Sequence, residues 1–297
     1  MKKKIFVTGA GGFIARNVVE QLGSKYSFIS PTHLQLDLEK DAEVERFFKK
    51  EGPFDVILHC ANVGGTRRNI DGGEIVAKNL RMFFNLARNK KYFGKMINLG
   101  SGAEYGKDRP IVKIREGDFD KKVPTDYYGF AKYICAKYII DSGQKMINLR
   151  LFGVWGKYED WRTRFISNAI VRSIFKLPIV INQNVTFDYS HVDDLVKIVD
   201  YLVGNSTKLR VYNVGRGAQI DLVSIANKIN SFSYKKSQIK IIKKGFANEY
   251  TCNNQLLMNE LDDFKFTDFD RSLSNLYAWY KDNIGSLTKA VILKESR

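Results

Sequence analysis

Cysteine and proline are scarce in this sequence, with three and five among 297 residues, and long apolar runs are missing. The cysteines, Cys60, Cys135 and Cys252, stand far apart and match no metal-ligand spacing, so no metal site is expected. Dispersed thiols fit a reducing compartment, and a cytoplasmic location is expected. With so little proline, and no repeat or low-complexity segment, nothing reads as a linker. No stretch approaches the roughly 18–20 apolar residues that span a bilayer, so no membrane partner is expected. The opening MKKKIFVTG passes from basic residues straight into a strand-like segment, without the apolar stretch and small-residue cleavage site of a secretion signal.

Acidic residues fall short of basic ones, 32 against 48, for a formal net charge of +16. Such an excess suits a nucleic-acid binder or a protein whose ligands carry phosphates. The basic residues are scattered, however, with short clusters only at Lys2–Lys4, Arg67–Arg68 and Lys235–Lys236, and no stripe interleaved with aromatics. A lysine-rich solvated surface is expected, without a nucleic-acid partner.

What is present is a chain able to build a large core, 44% hydrophobic and 27% charged. Its first half alternates short β-branched runs with longer helical patterns, which predicts an α/β fold built on a doubly wound parallel sheet. Strands are expected at Ile5–Thr8, Ser27–Ser30, Val56–His59, Met96–Gly100 and Met146–Leu151. Between them, Ile14–Leu22, Val44–Lys50, Ile75–Asn89 and Tyr127–Asp141 have helical spacing, the last with Tyr127, Ala131, Ile134 and Tyr138 along one face. Beyond about residue 151 the pattern loosens. Helices are expected at Thr163–Lys176, at Asp193–Val203 with Asp193 as its cap, at about Leu222–Ile229 and around Leu273–Tyr280, and a strand at Val211–Val214. This predicts a dinucleotide-binding domain over 1–160, with 185–205 returning to it. A smaller α/β cap over 161–184 and 206–297 would cover the sheet's carboxyl edge, where doubly wound folds place ligands.

The segment from Ile5 to Ala15, IFVTGAGGFIA, is a strand, a glycine-rich turn and a helix start. Glycines without a Cβ let backbone N–H groups and a helix N-terminus approach a pyrophosphate. Gly9 and Gly12 hold the first two positions of the spacing and Ala15 the third. An acid near the end of the second strand would bond the ribose hydroxyls of NAD. Here Phe28–His33 carries none, which favours NADP, with NAD still open. His33 is either a loop histidine or the one cationic partner available to a 2′-phosphate.

Tyr128-Gly129-Phe130-Ala131-Lys132 sets a phenol and an ammonium four residues apart on one helix face. An ammonium close to a phenol favours the phenolate, which suits a group that exchanges protons with a hydroxyl or carbonyl oxygen. Ser101, at the end of the preceding strand, can offer a hydroxyl to the same oxygen. Tyr133 and Lys137 share the spacing, so the pair alone would be weak. The glycine turn and the serine-bearing strand single out the first pair.

In family order, these residues resemble the extended short-chain dehydrogenases/reductases, the NAD-dependent epimerase/dehydratase group of nucleotide-sugar epimerases, dehydratases and reductases. TGAGGFIA resembles TGxxGFIG, Asp37-Leu38 the adenine-contacting acidic dipeptide, and His59-Cys60-Ala61 the HxAA segment. Asn79-Leu80 with Asn85-Leu86 resembles NVxGTxNLL, LGSGAEYG resembles SSxxVYG, and YGFAK resembles YxxSK. LRLFGVWG, DYSHVDDL and YNVGRG are similar to LRxxNVYGP, DFIHVDDV and YNVGSG. The resemblance implies a Rossmann sheet, with Gly9, Gly12, Phe13, Ile14, Asp37, Leu38, Ala61, Asn79, Leu151 and Phe152 along the cofactor. It assigns Ser101, Tyr128 and Lys132 to catalysis, with Tyr128 and Lys132 also against the nicotinamide end. It also implies a homodimer through the helix that bears Tyr128.

Departures from the pattern point to a reaction. Dehydratases of this group carry Asp-Glu directly after the catalytic Ser/Thr; here Gly102 and Ala103 stand there, and Glu104 comes one residue late. Asn62-Val63-Gly64-Gly65 is similar to a segment of the GDP-fucose synthases. Those enzymes epimerise with a Cys two residues after the Ser and a His in the first cap helix. Ala103 and a histidine-free Trp161–Ile170 replace these. The expected reaction is reduction by NADPH of the C4 keto group of a nucleotide-linked 4-keto-6-deoxy sugar, without epimerisation. Gly102 and Ala103 would line the sugar site. An NAD-dependent 4-epimerase uses the same Ser–Tyr–Lys set and is the alternative; a non-catalytic dinucleotide sensor or RNA binder is a second. The family's diphosphate-binding Arg is Phe187 here. Arg164, Arg172, Arg216 or Lys176 would replace it, although each also reads as a solvated basic residue. His191 and Asp193–Asp194 read as a helix cap and its anchor.

Overall fold

The computed structural model describes residues 1–65, 71–285 and 287–295, so the Arg67–Arg68 cluster lies outside the described residues. In chain order the first half gives β1 (Lys4–Thr8), α1 (Phe13–Leu22), β2 (Ser27–Ile29), α2 (Asp41–Glu51), β3 (Phe54–His59), α3 (Glu74–Ala87), β4 (Phe93–Ser101), β5 (Ile111–Ile114), α4 (Tyr127–Asp141) and β6 (Met146–Leu151). The second half adds β7 (Gly153–Trp155), α5 (Phe165–Ile174), β8 (Ile179–Asn184), β9 (Thr186–His191), α6 (Val192–Gly204), β10 (Val211–Val214) and β11 (Gln219–Asp221). It ends with α7 (Leu222–Ser231), β12 (Ile239–Phe246), β13 (Tyr250–Cys252), α8 (Gln255–Leu261), α9 (Phe269–Asn283) and α10 (Lys289–Glu295).

Six strands form one parallel sheet in the order β10-β6-β4-β3-β1-β2. Alternate residues of β1 face opposite layers: Ile5 and Val7 join one apolar cluster, Phe6 the other. Because helices cover both faces, the strands read as continuous apolar runs. The chain turns one way from β1 to β2 and the other way to β3, so a crevice opens at their carboxyl ends, the position doubly wound sheets use for ligands. Gly9 and Ala61 meet there.

The second layer of structure holds β11, β9, β13 and β5 in one sheet, with β7 also on β9, and a separate parallel pair β12–β8. Around them α5, α7, α9 and α10 enclose their own core, from Trp155 and Ile166 to Leu276 and Ile292. Two assignments differ from the sequence expectation. β10 pairs with β6 and α8 packs Leu257 and Leu261 onto the large sheet, so part of 206–297 belongs to that sheet's layers. The cap of α6 is His191, whose Nδ1 accepts the Asp193 N–H at 3.3 Å, and not Asp193. β9 runs straight to His191, which leaves Asp193 and Asp194 in the first turn, where carboxylates suit the helix dipole. Among the described residues, no helix is long and apolar enough to cross a membrane.

Candidate active site

The crevice widens into a cavity of about 1020 Å³ between the large sheet and the cap. The glycine turn is part of its lining. Gly9 adopts φ +68°, and a Cβ there would stand 2.9 Å from the Ala61 Cα. Only glycine accepts both the left-handed conformation and that approach. The turn closes through Gly12 N–H to Gly9 C=O at 2.8 Å, and Gly12 caps α1 without any side-chain bond to the helix N–H groups. Those donors remain for an anionic ligand, and the residues fit a dinucleotide pyrophosphate. Gly12, Phe13 and Ile14 line the cavity here.

Beneath it, Thr8 and His59 sit side by side at the ends of β1 and β3, with Oγ1 and Nδ1 2.9 Å apart. Thr8 Oγ1 also accepts the Cys60 and Ala61 N–H groups, both at 3.1 Å, fixing the strand ends. Burial pushes the His59 pKa down to about 3, so the ring is neutral. Burial likewise pushes the Cys60 thiol up to about 12, which leaves this cavity-lining group un-ionised.

Ser101, Tyr128 and Lys132 all line this cavity. β4 ends at Ser101, which caps a short turn: its Oγ accepts the Ala103 N–H at 3.1 Å while Glu104 Oε1 accepts the Ser101 N–H at 2.9 Å. α4 starts at its Asp126 cap, whose Oδ1 accepts the Gly129 N–H at 2.9 Å. A side chain at 129 would meet the Ala103 carbonyl at 2.8 Å, so glycine lets α4 lie against the serine turn. Lys132 Nζ donates to the Leu99 carbonyl at 2.8 Å and stands 5.9 Å from the Tyr128 ring centre. The rival pair is turned elsewhere: the Tyr133 hydroxyl and Lys137 ammonium both bind Asp120.

Glu104 points inward, not toward the cavity. It pairs with Arg150 Nε at 2.6 Å and accepts from Asn148, with both charged side chains buried. Arg150 also donates to the Tyr105 hydroxyl at 3.0 Å, which itself donates to Asn213. This buried network underlies Ser101.

Other expected residues fall in different places. Leu151 and Phe152 line the cavity, as do Ala103 and Arg164; Gly102 is buried and outside its lining. Ala61 touches Gly9, and Asn79 braces the following loop by bonding both backbone groups of Val63. His33, Asp37 and Leu38 lie beyond the cavity lining: His33 is exposed, Asp37 accepts the Glu39 N–H, and the Leu38 carbonyl accepts from Asn85. Arg172 is buried in the cap on Asn168 and the Pro178 carbonyl. Lys176 binds Ser233, and Arg216 borders a separate shallow depression with Tyr189 and Asp268. Of the four cations considered for a diphosphate, only Arg164 reaches the cavity. Lys107 and Arg109 also line it, unpredicted, as does the segment Phe246–Tyr250. Tyr250 brings its hydroxyl 3.5 Å from Ser101 Oγ. No motif marked that segment; only strand pairing in three dimensions brings it here.

Residues 5–215 match the model of the NAD dependent epimerase/dehydratase family. The chain belongs to that family. Among curated members, the GDP-L-colitose synthase of Yersinia pseudotuberculosis is 26% identical, covering 85% of this chain and 93% of the relative. The GDP-L-fucose synthase of Azorhizobium caulinodans is 30% identical over 59% of this chain and 60% of its own length. The GDP-mannoheptose C4 reductase of Campylobacter jejuni, solved with NADP bound, superposes with a TM-score of 0.79 at 18% identity, covering 94% of this chain and 98% of its own. The UDP-glucose 4-epimerase of Thermotoga maritima gives 0.82 at 20% identity, with 95% and 99% covered. As a family member the protein is a dinucleotide-dependent enzyme.

Proposed function

We propose that this enzyme uses NADPH to reduce the C4 keto group of a nucleotide-linked 4-keto-6-deoxy sugar, without inverting C3 or C5. One observation carries the reading: Ser101, Tyr128 and Lys132 line the same cavity as the glycine turn, and among the described residues no histidine or cysteine stands where an epimerising pair would. None of the three histidines lines it, and Ala103 stands two residues after Ser101. Of the lining carboxyls, Glu159, which burial pushes up to about 7, accepts the Ser167 hydroxyl at 2.6 Å, Asp71 accepts the Gly65 N–H, and Glu249 accepts from Gln219 and Thr251. The sugar-nucleotide and C4-reductase relatives named above support the substrate class, and the carboxylate-free stretch Phe28–His33 supports NADPH.

When bound, the dinucleotide supplies hydride to C4. Tyr128 gives its phenolic proton to the C4 oxygen, Ser101 holds that oxygen in line, and Lys132, anchored on Leu99, keeps a positive charge beside the phenol. Arg164, with Lys107 and Arg109, supplies cationic donors to the diphosphate in place of an arginine at 187. The enzyme pairs as a homodimer through α4, whose Tyr127 and Ile140 are exposed apolar side chains; sedimentation of the free chain as a monomer would contradict the pairing.

The test is loss of absorbance at the reduced-nicotinamide band on adding a GDP-linked 4-keto-6-deoxyhexose, run in D2O with the product analysed by NMR. Stoichiometric NADPH consumption without deuterium at C3 or C5 is expected. Interconversion of C4 epimers without net consumption would instead identify a 4-epimerase. Absence of any turnover with retained dinucleotide binding would identify a non-catalytic relative.

A further inference from the structure

Tyr250 belongs to no motif, yet its hydroxyl lies 3.5 Å from Ser101 Oγ. It opens β13, opposite Phe187 of β9 and Ile111 of β5. Its ring centre lies 4.9 Å from that of Phe152 and 6.0 Å from that of Phe187, and all three aromatics line the cavity. Its hydroxyl also fills the space in front of residue 102. A Cβ there would meet it at 2.6 Å and Phe152 at 2.8 Å. The glycine after Ser101 is thus the room in which the phenol sits.

At 3.5 Å, the Ser101 and Tyr250 hydroxyls are at the outer limit of a hydrogen bond. An incoming sugar oxygen at ordinary bonding distance from one can therefore bring a neighbouring oxygen within reach of the other. A carbonyl oxygen has two lone pairs, which Ser101 and Tyr128 take up in the proposed reaction. Tyr250 is left to bond the next oxygen along the ring. Desolvation by its surroundings raises the Tyr250 pKa, so the phenol keeps its proton and acts as a donor.

We propose that Tyr250 is a specificity-determining residue of the sugar subsite, donating to the C3 hydroxyl beside the reacting ketone and selecting 3-hydroxy over 3-deoxy sugar nucleotides. The inference rests on the C4-reductase reading. A site built to hydrogen-bond a hydroxyl discriminates against the analogue that lacks it, because its own polar group is left unpaired.

The experiment compares kcat/KM for NADPH oxidation with a GDP-linked 4-keto-6-deoxyhexose and its 3-deoxy counterpart. The wild type should prefer the hydroxylated sugar by about 10–100-fold. Tyr250→Phe should bring that ratio to within about threefold, chiefly by lowering activity on the hydroxylated sugar, with NADPH affinity unchanged. Gly102→Ala should do the same by displacing the phenol. A wild type that reduces both sugars equally well, or a Tyr250→Phe enzyme that keeps the wild-type ratio, overturns the assignment while leaving the reductase reading intact. A wild type that reduces neither overturns both.

Discussion

The glycine turn and the Tyr250 segment both line the same cavity, and they differ in how much of their placement a motif records. Gly9 is fixed by its own backbone, by the adjacent strand end and by bonds to Thr8 within two neighbouring strands. Tyr250 is fixed by partners remote in sequence, Ile111, Phe152 and Phe187, each on a different strand or loop. The dinucleotide end is therefore built from a tight turn packed on a neighbouring strand end, and each of these two segments carries a short motif. The proposed sugar end is built from strand pairing of segments that carry no motif, which leaves room for substrate choice to change without disturbing the fold.

That contrast can be tested from its strongest point downward. Glu104→Ala should cost about 3–5 kcal/mol of stability, because it strands the buried Arg150 guanidinium beneath Ser101. Urea unfolding would measure this, and a loss below about 1 kcal/mol would mean that the pair is dispensable. Gly9→Ala should cost roughly 1–3 kcal/mol through its left-handed backbone alone and should weaken dinucleotide binding, read by quenching of tryptophan fluorescence. Substitutions at Tyr250 should leave that binding untouched. Arg164→Ala should raise KM for the sugar nucleotide about tenfold, whereas Arg216→Ala should not change it; equal effects would remove Arg164 from the diphosphate.

A further expected effect is a pH dependence. His59 is held neutral, with its folded pKa near 3 below the unfolded value of about 6.5. The unfolded chain binds more protons across that window, so His59 makes stability fall on acidification from about pH 6.5 toward 3, by at most about 1.4 kcal/mol per pH unit. Glu159, raised to about 7, acts in the opposite sense: its contribution is present at low pH and is lost as pH rises from about 4.5 to 7. Comparing unfolding midpoints of wild type and His59→Gln at pH 6 and 4.5 isolates the first. Parallel slopes would contradict it.

The legible parts of the sequence follow the same division. β6, β10 and α4 have the predicted limits, and the other expected strands and helices of the large sheet differ only at their ends, since two-sided burial writes a clear apolar pattern. The short strands β5, β7, β8, β9, β11, β12 and β13 were not legible. They are three to eight residues long, and β12 is almost wholly exposed, so neither length nor alternation marks them. At the site, Ser101, Tyr128 and Lys132 line one cavity, while Arg172 and Arg216 lie outside its lining; charge in a sequence gives no direction to a side chain. Tyr250 carries no signal at all without the β13 pairing.

The central claim is that the phenol of Tyr128 protonates the sugar oxygen. The direct measurement is NADPH turnover with a GDP-linked 4-keto-6-deoxyhexose by Tyr128→Phe, set beside NADPH binding by the same variant. Turnover should fall by about 10²–10⁴-fold with affinity for NADPH within twofold of wild type. Wild-type turnover by that variant would contradict the account.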